Sequence, residues 1–228
     1  MDNIIELAHT LSPYTICGEG NVSGRSSSVY KDIKGDSFWI KASGTSLDTL
    51  KKEDLVACRM NGVPYDGLGP RPSMEVSFHA WFYRTFPEIN FVSHTHPTNT
   101  VKILCSSRIL SFATHRLFPD QVVIIVVLCC LVAYAIPGIN LMQQIELSVS
   151  EFIDHEQCFP KLILLQNHGI ITASASAKDC ATAALMCEKS AEIFIGAKML
   201  NNISFLSSSA VAEINADPNE KYRRNLIQ

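Results

Sequence analysis

The sequence predicts one globular domain in which helices and strands mix, and three observations carry that expectation. The chain has 228 residues, 47% of them hydrophobic and 18% charged, enough apolar mass for a sizeable core. Segments with apolar residues at helical spacing alternate with short runs that read as strands. The longest apolar run, Val122 to Ile136, spans fifteen residues, short of the ~20 that a bilayer-crossing helix needs, and so reads as core.

Residues 2 to 11 carry Ile4, Ile5, Leu7 and Leu11 at helical spacing, and Ser12-Pro13 ends that helix. Cys17 to Arg25 is a glycine-rich loop or strand edge. It reads either as a hairpin turn or as a nest of backbone amides, with Asn21 and Ser23 as donors to a phosphate or sugar oxygen. Phe38 to Ala42 is strand-like, and Ser43-Gly44-Thr45-Ser46 turns out of it with further small donors. Ser73 is expected to cap a helix whose Phe78, Trp81, Phe82 and Phe86 form one apolar face before Pro87. Glu75 then falls in the first turn, where the helix dipole favours a carboxylate.

A short helix is expected over 98–105 and a loop over 106–121. The Val- and Ile-rich stretch 122–136 reads as one buried strand, or as two with a bend near Cys129-Cys130. An amphipathic helix over 141–152 follows, then a buried strand over 162–166 that continues over 170–173 past Asn167-His168-Gly169. Ser176 caps a long helix with Asp179 at its third position and Ala184, Leu185, Ile193 and Phe194 turned inward. The tail from 207 onward is largely polar, and its charged cluster at 220–224 reads as a solvated face.

A formal charge of -3 with no basic block argues against a nucleic-acid partner. The opening Met1-Asp2-Asn3 has neither a basic nor a hydrophobic signal region, so a cytoplasmic protein with no membrane partner is expected. Eight cysteines without a Cys-x-x-Cys, mainly in apolar stretches, read as reduced, buried thiols.

The chemistry concentrates at Phe91 to Pro97. In a strand, alternate side chains share a face, so His94 and His96 can reach one ion, with Pro97 opening the helix that follows. A lone His-x-His is as readily a pair of core or surface histidines. Its company shifts the balance: Glu75 lies nineteen residues earlier, and His168, in Gln166-Asn167-His168-Gly169, breaks a strand much later. Three imidazoles and one carboxylate suit zinc. His79, one turn beyond Glu75 and beside the aromatic face, is expected to be structural or to support the site.

Five motifs in order, Gly20-Asn21-Val22-Ser23, Lys41-Ala42-Ser43-Gly44, Pro72-Ser73-Met74-Glu75, His94-Thr95-His96-Pro97 and Asn167-His168-Gly169, resemble the class II aldolase/adducin family across nearly the whole chain. The resemblance implies a single three-layer αβα domain over 1–228 with a mainly antiparallel central sheet. It also implies a homotetramer with active sites between subunits. It makes His94, His96 and His168 the zinc ligands, Glu75 the acid/base carboxylate, and Asn21, Ser43, Gly44 and Ser73 the phosphate site. Met74 departs from members with a second serine there, and a thioether cannot donate a hydrogen bond to phosphate.

The implied activity is zinc-dependent cleavage of a ketose 1-phosphate to dihydroxyacetone phosphate and an aldehyde through an enediolate. Zinc suits that charge as a Lewis acid, and the carbon needs a proton donor such as Glu75. An L-ribulose-5-phosphate type 4-epimerase is the alternative, which Lys41 resembles, whereas Glu75 resembles the aldolases. An adducin-like non-catalytic module is a third reading, which loss of ligands would mark. The loop 114–120 lies where family members offer a catalytic side chain to the neighbouring subunit. It holds His115 and Asp120 but no tyrosine, and Tyr222 stands in the tail. His115 is the first candidate for proton donor, since its pKa suits transfer in both directions, and Asp120 with Tyr222 is the epimerase-like alternative.

Overall fold

The computed structural model describes residues 1–16, 18–26, 36–126 and 128–227, so Cys17 and Val127 of the stretches above lie outside the described residues. Among these residues the chain forms seven strands: β1 (Asn21–Ser26), β2 (Ser37–Lys41), β3 (Leu55–Arg59), β4 (Phe91–Thr95), β5 (Cys130–Val132), β6 (Ile163–Leu165) and β7 (Ile170–Ser174). They make one sheet in the order β3-β2-β1-β4-β7-β6-β5. Every neighbouring pair is antiparallel except β5 and β6.

Nine α-helices accompany the sheet among the described residues: α1 (Asp2–Leu11), α2 (Val76–Thr85), α3 (Thr98–Leu104), α4 (Ile109–Thr114), α5 (Pro119–Ile125), α6 (Ile139–Glu156), α7 (Ala177–Met199), α8 (Ser208–Ala216) and α9 (Pro218–Ile227). Period-2 alternation divides the sheet's side chains between two cores. One core joins Val22, Leu164 and Ile170 to apolar residues of α1, α3, α4, α5 and α7. The other joins Phe38, Ile40, Val92, Ile163, Leu165 and Ile171 to α2 and α6. The expected three-layer arrangement with a mainly antiparallel sheet is the observed one.

The helix expected from Ser73 begins later. An Ala42–Pro72 bridge and the bond from Ser73 N to Lys41 O, 3.1 Å, hold 71–73 extended against the end of β2. The helix therefore starts at Val76, with Glu75 at its cap position and not in its first turn. Pro97 likewise stands one residue before α3.

Two readings of the middle are corrected. Residues 106–121 contain α4 and the start of α5, not a loop. The run 122–136 is not a strand throughout: it finishes α5, passes through Val126 at φ 68° and yields only the short β5. Gln121 to Ile125 are all buried, and a segment buried on every side carries no periodicity from which helix and strand can be told apart. The polar tail forms α8 and α9, which pack on α5. Ser207 caps α8 by accepting from Ala210 N at 3.2 Å.

On α7, Ser176 accepts from Asp179 N as expected, and Ala184 and Phe194 are buried, but Ile193 is exposed. Five of the described cysteines are buried thiols, whereas Cys105 and Cys158 are exposed.

Candidate active site

β4 sits at the middle of the sheet, and its alternation sends Val92 and His94 toward α2. Ser93 faces the other way, bonded to Thr172 Oγ1 at 2.7 Å. His94 is wholly buried, its ring met edge-on by Phe78 at 5.7 Å. His96 lies just past the strand, its ring 4.6 Å from that of His94. Register brings in the third imidazole: Thr95 pairs with Ile170, so the turn between β6 and β7 lies beside the end of β4. Asn167 in that turn takes φ 54°, and Leu165 N donates to Gly169 O at 2.9 Å. The rings of His168 and His94 stand 4.8 Å apart.

The three histidines offer nitrogens that all lie within 4.8 Å of one another. The donor set suits a divalent metal. His94 Nδ1 faces the carbonyl of Ile170 at 2.9 Å, which places the proton there and leaves Nε2 bare toward the cluster. His96 Nε2 comes to 2.8 Å from His94 Nε2, two ring nitrogens aimed at one point. His168 Nδ1 is buried and has no hydrogen-bond partner among the described residues. Burial, with His168 nearby, pushes His94 down to about 3. Burial and the other two rings push His96 down to about 4. Both are therefore neutral, the form that ligates a cation.

Glu75 crosses the top of this cluster. Its Oε2 lies 3.3 Å from His94 Nε2 and its Oε1 3.5 Å from His168 Nε2. Oε2 also accepts from Asn21 Nδ2 at 2.9 Å. Asn21 is placed opposite His94 in the β1–β4 ladder. Gly20 before it has φ 70°, and a Cβ there would meet the His94 carbonyl at 2.7 Å, so only glycine lets the chain pass.

A cleft of about 240 Å³ opens over these groups. Of the residues expected to serve phosphate, Asn21, Ser43, Gly44 and Ser73 line it, together with Glu75, His96, His168 and Met74. Ser23 does not. Its side chain follows the strand's alternation inward, is wholly buried, and bonds His79 Nδ1 at 2.7 Å and Tyr83 OH at 2.6 Å. The motif alone does not reveal which of its polar side chains turns inward.

Glu19, Lys41 and Pro137 also line the cleft without having been singled out as site residues. Lys41 ends β2, is buried, and donates to the carbonyls of Thr45 at 2.6 Å, Ala42 at 3.4 Å and Gly18 at 3.5 Å. It ties together the two loops that wall the cleft. Burial lowers its pKa, partly opposed by Asp54. Its place directly before Ala-Ser-Gly was the available signal; nothing in the pattern marked Pro137.

The three candidate proton donors do not line the cleft of their own chain. His115 is exposed at the end of α4, its ring 4.6 Å from that of Phe205. Asp120, in the first turn of α5, is bonded by Arg223 of α9. Tyr222, beside Arg223, is 66% exposed. Asp120 and the segment carrying Tyr222 are thus brought together, whereas the ring of His115 lies against Phe205.

Comparison with known proteins places this arrangement. Residues 7–195 match the family described as Class II Aldolase and Adducin N-terminal domain. An L-fuculose phosphate aldolase of Methanococcus maripaludis is 27% identical over 203 residues, covering 88% of this chain and 97% of its own. A Bacillus subtilis protein named uncharacterized oxidoreductase YuxG is 24% identical over 208 residues. That match covers 81% of this chain but only 28% of the length of YuxG. The L-ribulose-5-phosphate 4-epimerase UlaF of Salmonella paratyphi C is 38% identical over 60 residues, 26% of each chain. Among solved structures, YgbL of Escherichia coli, described as a putative aldolase/epimerase/decarboxylase, superposes with a TM-score of 0.73 at 22% identity. The superposition covers 94% of this chain and 97% of that one.

Proposed function

The chain belongs to the class II aldolase and adducin N-terminal domain family, and from that premise we propose that it is a zinc-dependent aldolase. It cleaves a ketose 1-phosphate to dihydroxyacetone phosphate and an aldehyde. The observation that carries this reading is the carboxylate of Glu75, with one oxygen 3.3 Å from His94 Nε2 and the other 3.5 Å from His168 Nε2. His94, His96 and His168 hold the zinc, which when bound supplies a Lewis acid for the substrate's oxygens.

The chain's own residues do the rest. Cleavage of the bond between C3 and C4 requires the 4-hydroxyl to lose its proton and C3 to gain one. Glu75 delivers the proton to C3 and, in the reverse direction, removes it. Asn21, Ser43, Gly44 and Ser73 hold the phosphate at the cleft wall. His115 of a neighbouring subunit takes the proton from the 4-hydroxyl, in a cytoplasmic homotetramer whose subunits each form one domain over 1–228. No helix among the described residues is long and apolar enough to cross a membrane.

A screen of ketose 1-phosphates for release of dihydroxyacetone phosphate tests this. Release that stops on chelation and returns with zinc supports it. A second reading, 4-epimerisation of a pentulose 5-phosphate, is favoured by Lys41 in the cleft wall and by Asp120 lying against the helix that carries Tyr222. Epimer formation without triose-phosphate release would replace the first reading by the second.

A further inference from the structure

Behind Glu75 runs an unbroken line of buried polar side chains, and beyond Asn21 the proposed chemistry leaves them without a role. Asn21 donates to Glu75 Oε2 through Nδ2, and its Oδ1 is bonded to His79 Nε2. His79 Nδ1 bonds Ser23 Oγ at 2.7 Å, and Ser23 Oγ bonds Tyr83 OH at 2.6 Å. His79 and Ser23 are 0% exposed and Tyr83 is 2% exposed. His79 is stacked on Phe78 with ring centroids 4.6 Å apart.

The direction of every bond in this line follows from one end. At Glu75 the carboxylate oxygen Oε2 accepts from Asn21 Nδ2 at 2.9 Å, and the amide oxygen of Asn21 is then turned to His79. That oxygen also only accepts, so the His79 proton is on Nε2. Desolvation holds the pKa of His79 well below 6.5, with His94 adding to the effect. The ring is therefore neutral and its Nδ1 bare. Ser23 must donate to Nδ1, and Tyr83 must donate to Ser23.

We propose that His79 is a positioning residue: by accepting from Ser23 and donating to Asn21, it locks the Asn21 amide so that only N–H groups face Glu75 and the cleft. Two consequences follow. Glu75 is held at Oε2 by the Asn21 amide donor and keeps its aim at the histidines. Asn21, its acceptor oxygen consumed, can offer a ligand only hydrogen-bond donation, so the ligand group it meets is an acceptor such as a phosphate or ionised oxygen. The proposal rests on the reading of Glu75 as acid and base, but its tautomer and amide-exchange readouts need no turnover.

Long-range ¹H–¹⁵N spectra of the parent, zinc-loaded as purified, read the tautomer directly, with His79 assigned by its loss in His79→Gln. The expected result is a neutral ring with the proton on Nε2. The Nδ1 tautomer or an imidazolium overturns the proposal without any variant having to fold.

The second test is water exchange of the Asn21 side-chain amide, assigned by its loss in Asn21→Ala. His79→Leu, which can neither donate nor accept, should speed that exchange about tenfold or more at unchanged zinc content and lower kcat/KM by about 10- to 100-fold. His79→Gln places an amide donor near the Nε2 position and should restore slow exchange and most of kcat/KM. Unchanged exchange in His79→Leu, or no recovery in a folded, zinc-loaded His79→Gln, overturns the proposal. A parent that cleaves no ketose phosphate removes the aldolase reading, while the tautomer and exchange measurements still decide the role of His79.

Discussion

A Cβ on Gly169 would stand 2.5 Å from Cδ2 of His96, and as close to the carbonyl of Thr95. The turn that delivers His168 thus lies directly against the end of β4, where the other two imidazoles sit. Gly169→Ala must push these segments apart, since backbone cannot yield as a flexible side chain can. The expected outcome is a loss of about 10- to 100-fold in metal affinity, the usual effect of displacing a ligand's support. Competition against a chelator measures it, and parental affinity in the variant would refute the shared site.

Glu75→Gln should keep both metal and fold, because the cluster's three imidazoles are untouched. Turnover should fall by about 10²- to 10⁴-fold, the worth of a positioned acid or base. Metal analysis and steady-state rates on the same preparation check this. A near-parental rate would reduce Glu75 to a helix-cap carboxylate.

The metal-free protein should lose stability as pH falls below 6.5. Burial lowers the folded pKa of His94 to about 3 and of His96 to about 4, against 6.5 when unfolded. Between 6.5 and about 4 the unfolded chain therefore binds more protons than the folded one, and stability rises with pH across that window. Urea unfolding of chelated protein at steps from pH 7.5 to 5 measures the slope. A flat profile there contradicts the neutral, buried histidines.

Met74 lines the cleft and is 83% exposed, where it offers a phosphate no donor. Met74→Ser should lower KM for a ketose 1-phosphate by about tenfold, what one added hydrogen bond to a charged group is worth. Unchanged KM would show that the phosphate lies elsewhere in the cleft.

Alanine at positions 115, 120 and 222 separates the two chemistries. His115→Ala should depress triose-phosphate release by about 10²-fold or more, with Asp120→Ala and Tyr222→Ala milder. Asp120 already has Arg223 as its partner, so its alanine variant should also loosen α9 and lower the melting temperature. Parental cleavage in His115→Ala, together with loss of epimerisation in Asp120→Ala, would transfer the assignment to the epimerase.

The sequence by itself determined the local part of this architecture. The strand period places His94 and His96 on one face, and they lie side by side. Ser176 caps α7, and α2 carries the expected aromatic face. These features depend on neighbours a few residues apart, so the pattern contains them. The ordered motifs likewise carried the family and the sheet's mainly antiparallel character.

Only the tertiary structure decided the rest. The start of α2 was set by β2, which holds Pro72 and Ser73 extended and moves Glu75 from a first turn to a cap over the histidines. Ser23 turned inward because His79 and Tyr83 of α2 wait behind β1. Residues 119–125 became helix because a segment buried on all sides has no period to read. His168 met His94 across more than seventy residues because the β4–β7 register pairs Thr95 with Ile170. Sequence spacing specifies which side chains can share an element's face, whereas the encounter of faces on different elements is settled by packing and register.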